Sequence, residues 1–137
     1  MTGKLLIDTG PIVAIMLNSD EHHEVCVECI RSIGGPLLTC RPAIAEAAWL
    51  LRAYPKAIRR LLGSFRGRPF ELVPLGETDL PAIAVILAKY ANLGIRLADA
   101  SLVHLANREQ IESIFTLDRR DFGVIRLAHG KRMRLIP

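Results

Sequence analysis

A chain of 137 residues, half of them hydrophobic, holds enough apolar material for one compact core, so we expect a single domain over residues 1–137. Its apolar stretches are interrupted well short of the roughly 20 residues that a membrane helix needs, so no membrane association is expected. The net charge of +4 is a mild basic bias, which suits a polyanionic or acidic partner without requiring one.

Neither an export signal nor a disulfide framework is evident. Asp8 comes too early for the apolar core of a secretory signal, so a cytoplasmic protein is expected by default. Three cysteines are an odd number in a chain that can fold without cross-links. His22, Cys26 and Cys29 could share a helix face and offer three zinc ligands, but no second Cys/His pair completes a tetrahedral site. The alternative is that the cysteines are small, semi-buried hydrophobic residues.

Short apolar runs alternate with longer amphipathic ones along the chain, which predicts an α/β domain. Strands that are separated by helices favour a doubly wound, mostly parallel sheet. We predict strands at residues 4–7, 37–40, 70–73 and 113–117, and an edge strand at 133–136. We predict helices at residues 9–17, about 20–33, 43–54, 55–62, 78–92 and 98–107.

Basic residues gather in two segments, at positions 56–68 and 119–134. Each segment is either a contact for a polyanion or only a solvated face, and the sequence leaves both interpretations open. Aromatic residues make up 5% of the chain, so a base-stacking platform of the kind that single-strand binders use is not evident. The sequence therefore does not predict which residues would bind a nucleic acid.

Ten of the fourteen acidic residues fit a solvated surface, among them Glu77 and Asp79 beside a predicted helix start. The other four do not fit it, and two of these follow strands. Asp8 and Asp118 each come after an apolar run, so both carboxylates would emerge at the carboxyl ends of strands, where ligand crevices form in open α/β sheets. For Asp8 the alternative is capping of the next helix, a role that Thr9 could fill instead. For Asp118 the alternative is simple turn formation.

Glu46 interrupts a predicted helix whose other residues from Ala43 to Leu51 are all apolar. No basic side chain lies one turn away, because the neighbouring positions hold Pro, Ala, Trp and Leu. Burial of an unpaired carboxylate is costly, so Glu46 needs protonation, a distant arginine or a bound cation. A cation in a cleft is the most economical remedy, and the alternative is that the helix turns Glu46 toward water.

Asp99 opens another apolar helix, where a purely structural explanation is stronger. An Asp in a first helical turn complements the helix dipole, and Arg96 is close enough in sequence to pair with it. Even so, two strand-end and two helix carboxylates could converge at one edge of the sheet. Clustered carboxylates repel one another and raise their own pKa values unless divalent ions compensate. Oxygen-only ligation points to Mg²⁺ or Mn²⁺ rather than zinc or copper.

Four short motifs carry these acids: Leu-Ile-Asp-Thr at 6–9, Ala-Glu at 45–46, Ala-Asp-Ala at 98–100 and Thr-Leu-Asp at 116–118. This pattern resembles the PIN-domain family. The short chain, the Asp-Glu-His-His segment at 20–23 and the residues at 119–122 make it most similar to VapC-type toxins of bacterial and archaeal toxin–antitoxin pairs. The resemblance spans nearly the whole chain.

The resemblance implies a PIN-like three-layer fold, with a central, mostly parallel sheet of four to five strands flanked by helices. It also implies endonucleolytic cleavage of RNA with Mg²⁺ or Mn²⁺. The family's catalytic, metal-binding acids match Asp8, Glu46, Asp99 and Asp118. Its supporting hydroxyl positions match Thr9 and Thr116. Asp121 lies one turn after Asp118, and either could be the fourth acid.

A metal ion at these acids would lower the pKa of a bound water and stabilise charge on the phosphate, so no protein nucleophile is required. Family analogy implies a homodimer and a cognate antitoxin that blocks the cleft. The alternative is a non-catalytic RNA-binding or protein-interaction module on the same fold. Phosphoaspartyl transfer also uses a strand-end Asp and magnesium, but its signature of a second Asp two residues after Asp8 is missing.

Overall fold

A computed structural model describes residues 4–65 and 69–137 of the chain. The strands of these ranges are β1 (Leu5–Ile7), β2 (Leu37–Thr39), β3 (Phe70–Leu72), β4 (Ser113–Phe115) and β5 (Arg134–Ile136). The α-helices are α1 (Thr9–Met16), α2 (His23–Ser32), α3 (Arg41–Leu50), α4 (Pro55–Gly63), α5 (Leu80–Lys89), α6 (Leu97–Glu109) and α7 (Arg119–Val124). Residues 66–68 of the predicted basic segment lie outside the described ranges. None of the helices described is long and apolar enough to cross a membrane.

Strand β1 lies at the centre of a five-stranded sheet with the order β3-β2-β1-β4-β5. All neighbouring strands are parallel, and Leu6 of β1 pairs with Leu38 of β2 on one side and with Ile114 of β4 on the other. The chain therefore proceeds from β1 to β2 and β3, and then returns past β1 to form β4 and β5. This confirms the predicted α/β sheet. It also makes the junction of β1 and β4 the topological switch point, where a crevice opens at the carboxyl ends of the strands.

Alternate side chains of the strands belong to two separate cores. Leu6 lies in the core that contains Leu102 of α6 and Phe122 of α7. Leu5 and Ile7 of the same strand lie in the opposite core, to which α1, α3 and α4 contribute. Because the central strand is buried on both faces, its sequence is continuously apolar instead of alternating. The three-layer arrangement is thereby confirmed.

Three helical segments differ from the prediction for local reasons. α3 ends short of Tyr54, because Tyr54 precedes Pro55 and takes a non-helical conformation (φ −128°, ψ 72°). The helix predicted at 78–92 divides into a 3-10 turn at Glu77–Asp79, α5, and a second 3-10 turn at Ala91–Leu93. α7 forms where only a turn was predicted after β4.

Two neighbouring leucines of α4 offer a matched test of this packing. Leu61 is fully buried in the core that contains Leu5 and Ile7, whereas Leu62 is 57% exposed. Leu61→Ala should lower the free energy of unfolding by about 2–5 kcal/mol, because it removes buried methyl groups and leaves a cavity. Leu62→Ala should change it by less than about 1 kcal/mol. Urea denaturation measures both values, and equal losses would contradict the described orientation of α4.

Candidate functional site

The carboxyl ends of β1 and β4 open into a cleft of about 290 Å³. Asp8 directly follows β1, and Asp118 comes shortly after β4, so neighbouring strands bring two carboxylates to one edge of the sheet. Helices α3 and α6 pack against each other and supply Glu46 and Asp99. The cleft is lined by Asp8, Thr9, Gly10, Glu46, Leu50, Gly94, Arg96, Asp99, Asp118 and Asp121. The structure thus brings the four predicted acids and Asp121 together.

Asp8 is the most deeply buried of these acids, with 6% of its surface exposed. Its Oδ1 accepts a hydrogen bond from the backbone N–H of Thr9, and its Oδ2 accepts one from the Thr116 hydroxyl, both at 2.8 Å. Burial, aided by the carboxylates of Asp99 and Glu46, raises the pKa of Asp8 to about 7. The two hydrogen bonds oppose this shift but do not overcome it. Ionised Asp8 therefore carries a charge that its surroundings do not neutralise.

Asp8 also caps α1, and the prediction that Thr9 could take that role is wrong. The side chain of Asp8 accepts the first amide of the helix from an extended backbone conformation (φ −82°, ψ 166°). The Thr9 hydroxyl instead donates to the carbonyl oxygen of Ala43 at 3.5 Å, which joins the start of α1 to α3. The Asp8 side chain therefore both caps α1 and lines the cleft.

A chain of hydrogen bonds joins Asp8 to the start of α7. The Thr116 hydroxyl donates to Asp8 and accepts from the backbone N–H of Asp118 at 2.9 Å. Asp118 in turn caps α7, because its Oδ1 accepts from the backbone N–H of Asp121 at 3.0 Å. Burial and the adjacent carboxylate of Asp118 raise the pKa of Asp121. This local bonding explains why a short helix replaces the predicted turn.

Glu46 and Asp99 border the cleft from its helical side. Glu46 is half-buried, and its Oε1 lies 3.9 Å from Nη1 of Arg96. The backbone N–H of Arg96 donates to Oδ2 of Asp99 at 2.9 Å, so the predicted pairing of Arg96 with Asp99 runs through the main chain. The guanidinium of Arg96 is the distant arginine that Glu46 required. Burial raises the pKa of Asp99, and the neighbouring carboxylates of Glu46 and Asp118 add to the effect.

The charge and chemistry of the cleft fit a hard divalent cation. Its described lining contains five carboxyl groups and one guanidinium, and carboxylate oxygens are the ligands that Mg²⁺ and Mn²⁺ prefer. The raised pKa values of Asp8 and Asp99 show that this negative charge is not compensated. Within residues 4–65 and 69–137, however, no three Asp, Glu, His or Cys side chains are arranged to hold an ion. A coordination shell would require the carboxylates to rotate toward a common point.

His22, Cys26 and Cys29, which could have offered three zinc ligands, differ widely in how far they are exposed. Cys26 is fully buried in the core, Cys29 is half-buried and His22 is exposed. Burial raises the pKa of the Cys26 thiol to about 11 and also raises that of Cys29, so both thiols stay protonated. The structure therefore supports the alternative, in which these cysteines are small hydrophobic residues.

Asp79 was expected at the polar surface beside a helix start, and this was wrong. It is 9% exposed, and its carboxylate contacts Nε2 of His104 at 2.8 Å and Nη1 of Arg108 at 3.0 Å. These bonds, with one from the Gly76 amide, lower the pKa of Asp79 to about 2. The group joins the start of α5 to α6 outside the cleft lining. The sequence gives one indication of this group, which is that His104 and Arg108 lie one helical turn apart on α6.

The fold and the position of the acids define the class of protein. The family model for the PIN domain matches residues 5–127, and the chain therefore belongs to the PIN-domain family. The chain is also 33% identical over 135 residues to ribonuclease VapC26 of Mycobacterium tuberculosis (strain ATCC 25618 / H37Rv). That alignment covers 97% of this chain and 100% of the relative. The resemblance predicted from the four motifs is confirmed.

Solved structures show the same architecture at low identity. VapC20 of Mycobacterium tuberculosis, a toxin that cleaves the sarcin-ricin loop, has a TM-score of 0.78 at 13% identity, over 85% of this chain and 92% of that one. A toxin–antitoxin complex from Klebsiella pneumoniae gives 0.67 at 15% identity, over 89% and 92%. VapBC2 of Rickettsia felis, bound to a DNA fragment from its promoter, gives 0.65 at 12% identity, over 98% of both chains. At these identities the likeness establishes the fold.

Two buried aspartates with opposite pKa shifts test the electrostatics of the cleft. Asp8→Asn should raise the free energy of unfolding at pH 7.5 by about 1–3 kcal/mol, because it removes a buried charge that nothing compensates. Asp79→Asn should lower it, because charge-assisted hydrogen bonds to His104 and Arg108 are lost. Urea unfolding in the presence of a chelator measures both effects without bound metal. Destabilisation by both substitutions would contradict the unneutralised charge at Asp8.

Proposed function

We propose that the protein is a Mg²⁺- or Mn²⁺-dependent endoribonuclease, the toxin of a VapBC-type toxin–antitoxin pair, which acts on RNA in the cytoplasm. The observation that carries this proposal is Asp8, a buried carboxyl group with a raised pKa among further carboxylates at the switch point of the sheet. Perturbed groups of this kind cluster at functional sites, because they lower stability without improving the fold. Membership of the PIN-domain family and the identity to ribonuclease VapC26 support RNA as the substrate.

Four side chains would hold the cation through oxygen atoms alone. They are Asp8, Glu46, Asp99 and Asp118. The bound ion would supply Lewis acidity, which activates a water for attack at the phosphate and offsets the charge that develops there.

Hydrogen bonds within the chain position these carboxylates. Thr116 contacts both Asp8 and Asp118, so one hydroxyl fixes the acids at the ends of two neighbouring strands. The amide of Arg96 holds Asp99 in a similar way. Thr9 joins α1 to α3, which keeps Asp8 and Glu46 on the same cleft. We therefore assign Thr116 and Thr9 supporting roles.

Water is the proposed nucleophile. Among the described residues that line the cleft there is no His, Cys or Ser, and the Thr9 hydroxyl is bound to Ala43. His104 is held by Asp79 outside the cleft lining. A Ser/His or Cys/His arrangement for nucleophilic catalysis would require these groups within hydrogen-bond distance of one another at the cleft.

A cognate antitoxin and a second copy of the chain are the proposed protein partners. Two of the similar structures come from toxin–antitoxin systems, which supports an antitoxin. Exposed apolar side chains on α5, including Leu80 at 56% and Val85 at 67%, support a homodimer, because large exposed hydrophobic residues on one helix favour a subunit interface. The alignments over nearly the whole chain support one domain over residues 1–137.

Cleavage of mixed cellular RNA tests the proposed function. The purified protein should cut RNA with Mg²⁺ or Mn²⁺ and not with chelator. Asp8→Asn and Glu46→Gln should each lower the rate by about 100-fold or more, because each removes a group that supports transition-state charge. Glu28→Gln, an exposed acid on α2, is the matched control and should leave the rate unchanged. Gel analysis of the fragments measures all four proteins.

Two outcomes would contradict this function. Metal-independent cleavage, or full activity in both cleft variants, would contradict hydrolysis by a metal-activated water. Tight binding of RNA that stays intact at saturating metal would instead indicate a non-catalytic RNA-binding module on the same fold.

The same cleavage assay shows which of Asp118 and Asp121 is the fourth metal ligand. We propose Asp118 as the fourth ligand, because Thr116 couples it to Asp8, whereas Asp121 lines the cleft from the first turn of α7. Asp118→Asn should therefore cost about 100-fold or more in rate, and Asp121→Asn about 10-fold, as expected for a neighbour of a ligand. A greater loss for Asp121→Asn would reverse the assignment.

A further inference from the structure

Arg96 is the only basic residue among the described residues that line the acidic cleft. Its guanidinium lies 3.9 Å from Oε1 of Glu46, and 71% of its side chain is exposed, so it stands at the mouth of the cleft. One guanidinium can pair with Glu46, but it cannot neutralise the four other carboxylates of the lining, so most of the negative charge of the cleft stays unpaired in the free protein. A positive group at the rim of an otherwise acidic cleft is placed to contact a ligand that enters the cleft.

The backbone fixes the position of Arg96 and leaves its side chain able to change partner. Its N–H is bonded to Asp99 at 2.9 Å, and Gly94, in the left-handed conformation (φ 66°), turns the chain just before it. The ion pair with Glu46 is long and solvent-exposed, and pairs of this kind contribute little stability. The guanidinium can therefore leave Glu46 without disturbing α6.

Glu46 and the incoming substrate compete for this guanidinium. A divalent cation at Glu46 would take over the charge that Arg96 now offsets, and would release the guanidinium by like-charge repulsion. An RNA phosphate is itself repelled by the carboxylates, and a planar guanidinium binds phosphate oxygens with two parallel hydrogen bonds. Arg119 is not placed for this, because its guanidinium donates to the carbonyl oxygen of Pro137.

We propose that Arg96 is the phosphate-binding residue of the cleft. It pairs with Glu46 in the free protein, yields Glu46 to the cation, and then binds a phosphate of the RNA strand. This inference rests on the proposed ribonuclease function, and it assigns the cleft a residue that the four acidic motifs do not include.

Three variants test the proposal: Arg96→Gln, Arg96→Lys and the control Arg31→Gln. Arg31 is a close match, because its side chain is 70% exposed and pairs with Glu28 on α2, away from the cleft. Isothermal titration with Mn²⁺ in the absence of RNA measures metal affinity. Cleavage of a single-stranded RNA at saturating Mn²⁺ measures kcat and KM, and a thermal melt confirms that each variant is folded.

Arg96→Gln should bind Mn²⁺ about two- to fivefold more tightly, because an exposed ion pair that competes for Glu46 is gone. Its kcat/KM should fall by about 10- to 100-fold, the range for a hydrogen bond between charged groups. Arg96→Lys should keep nearly wild-type Mn²⁺ affinity but recover only part of the cleavage, because it keeps the charge and loses the two-pronged geometry. Arg31→Gln should match the wild type in both measurements.

Weaker Mn²⁺ binding by Arg96→Gln, together with lost activity, would overturn the proposal and make Arg96 a structural part of the cleft. Wild-type cleavage by Arg96→Gln would equally overturn it. If the wild type itself cuts no RNA, the proposed ribonuclease function fails separately. The titrations then still decide whether Arg96 competes with a cation, and unchanged Mn²⁺ affinity in Arg96→Gln would refute that competition.

Discussion

The carboxyl group of Asp8 is buried where β1 meets β4, the point at which the strand order of the sheet reverses. Parallel strands bring their carboxyl ends to one edge, and the crossover connections place α3 and α6 beside it, so the fold itself gathers the acids. The pKa of Asp8 rises to about 7 because burial and neighbouring carboxylates disfavour its charged form. Under the proposed function, a divalent ion would offset the buried negative charge of Asp8, and by linkage it would also stabilise the folded chain.

Much of the cleft could be predicted from local sequence, because a parallel sheet converts chain order into position. An acid directly after an apolar run must appear at the carboxyl edge, which holds for Asp8 and, after a short loop, for Asp118. Glu46 could be found because a carboxylate within an otherwise apolar helix conflicts with its surroundings, and such conflicts concentrate at functional sites. The inner strands β1, β2 and β4 were predictable from their apolar runs, since strands that are covered on both faces need buried apolar side chains.

Contacts between distant parts of the chain could not be predicted. Arg96 was paired with Asp99 on sequence proximity, yet its guanidinium lies beside Glu46, on a helix that is far away in sequence. Asp79 was placed at the surface because it stands beside a helix start, although its partners lie on α6, which follows α5 and the second 3-10 turn in the chain. Local sequence patterns indicate the hydrophobic periodicity and the ends of each helix or strand. They do not indicate which distant residue a polar side chain will contact. The sequence predicted Arg96 beside Asp99, and only the structure shows that its guanidinium lies at Glu46 in the lining of the cleft.

The proposed function requires that the carboxylates at the switch point hold a divalent cation. Crystals grown with MnCl₂, with diffraction recorded at the manganese absorption edge, test it directly because anomalous scattering locates the metal without reference to activity. We expect an anomalous peak in the cleft between Asp8, Glu46, Asp99 and Asp118. A cleft without a peak at saturating Mn²⁺, or a peak only at exposed acids elsewhere on the chain, would contradict it.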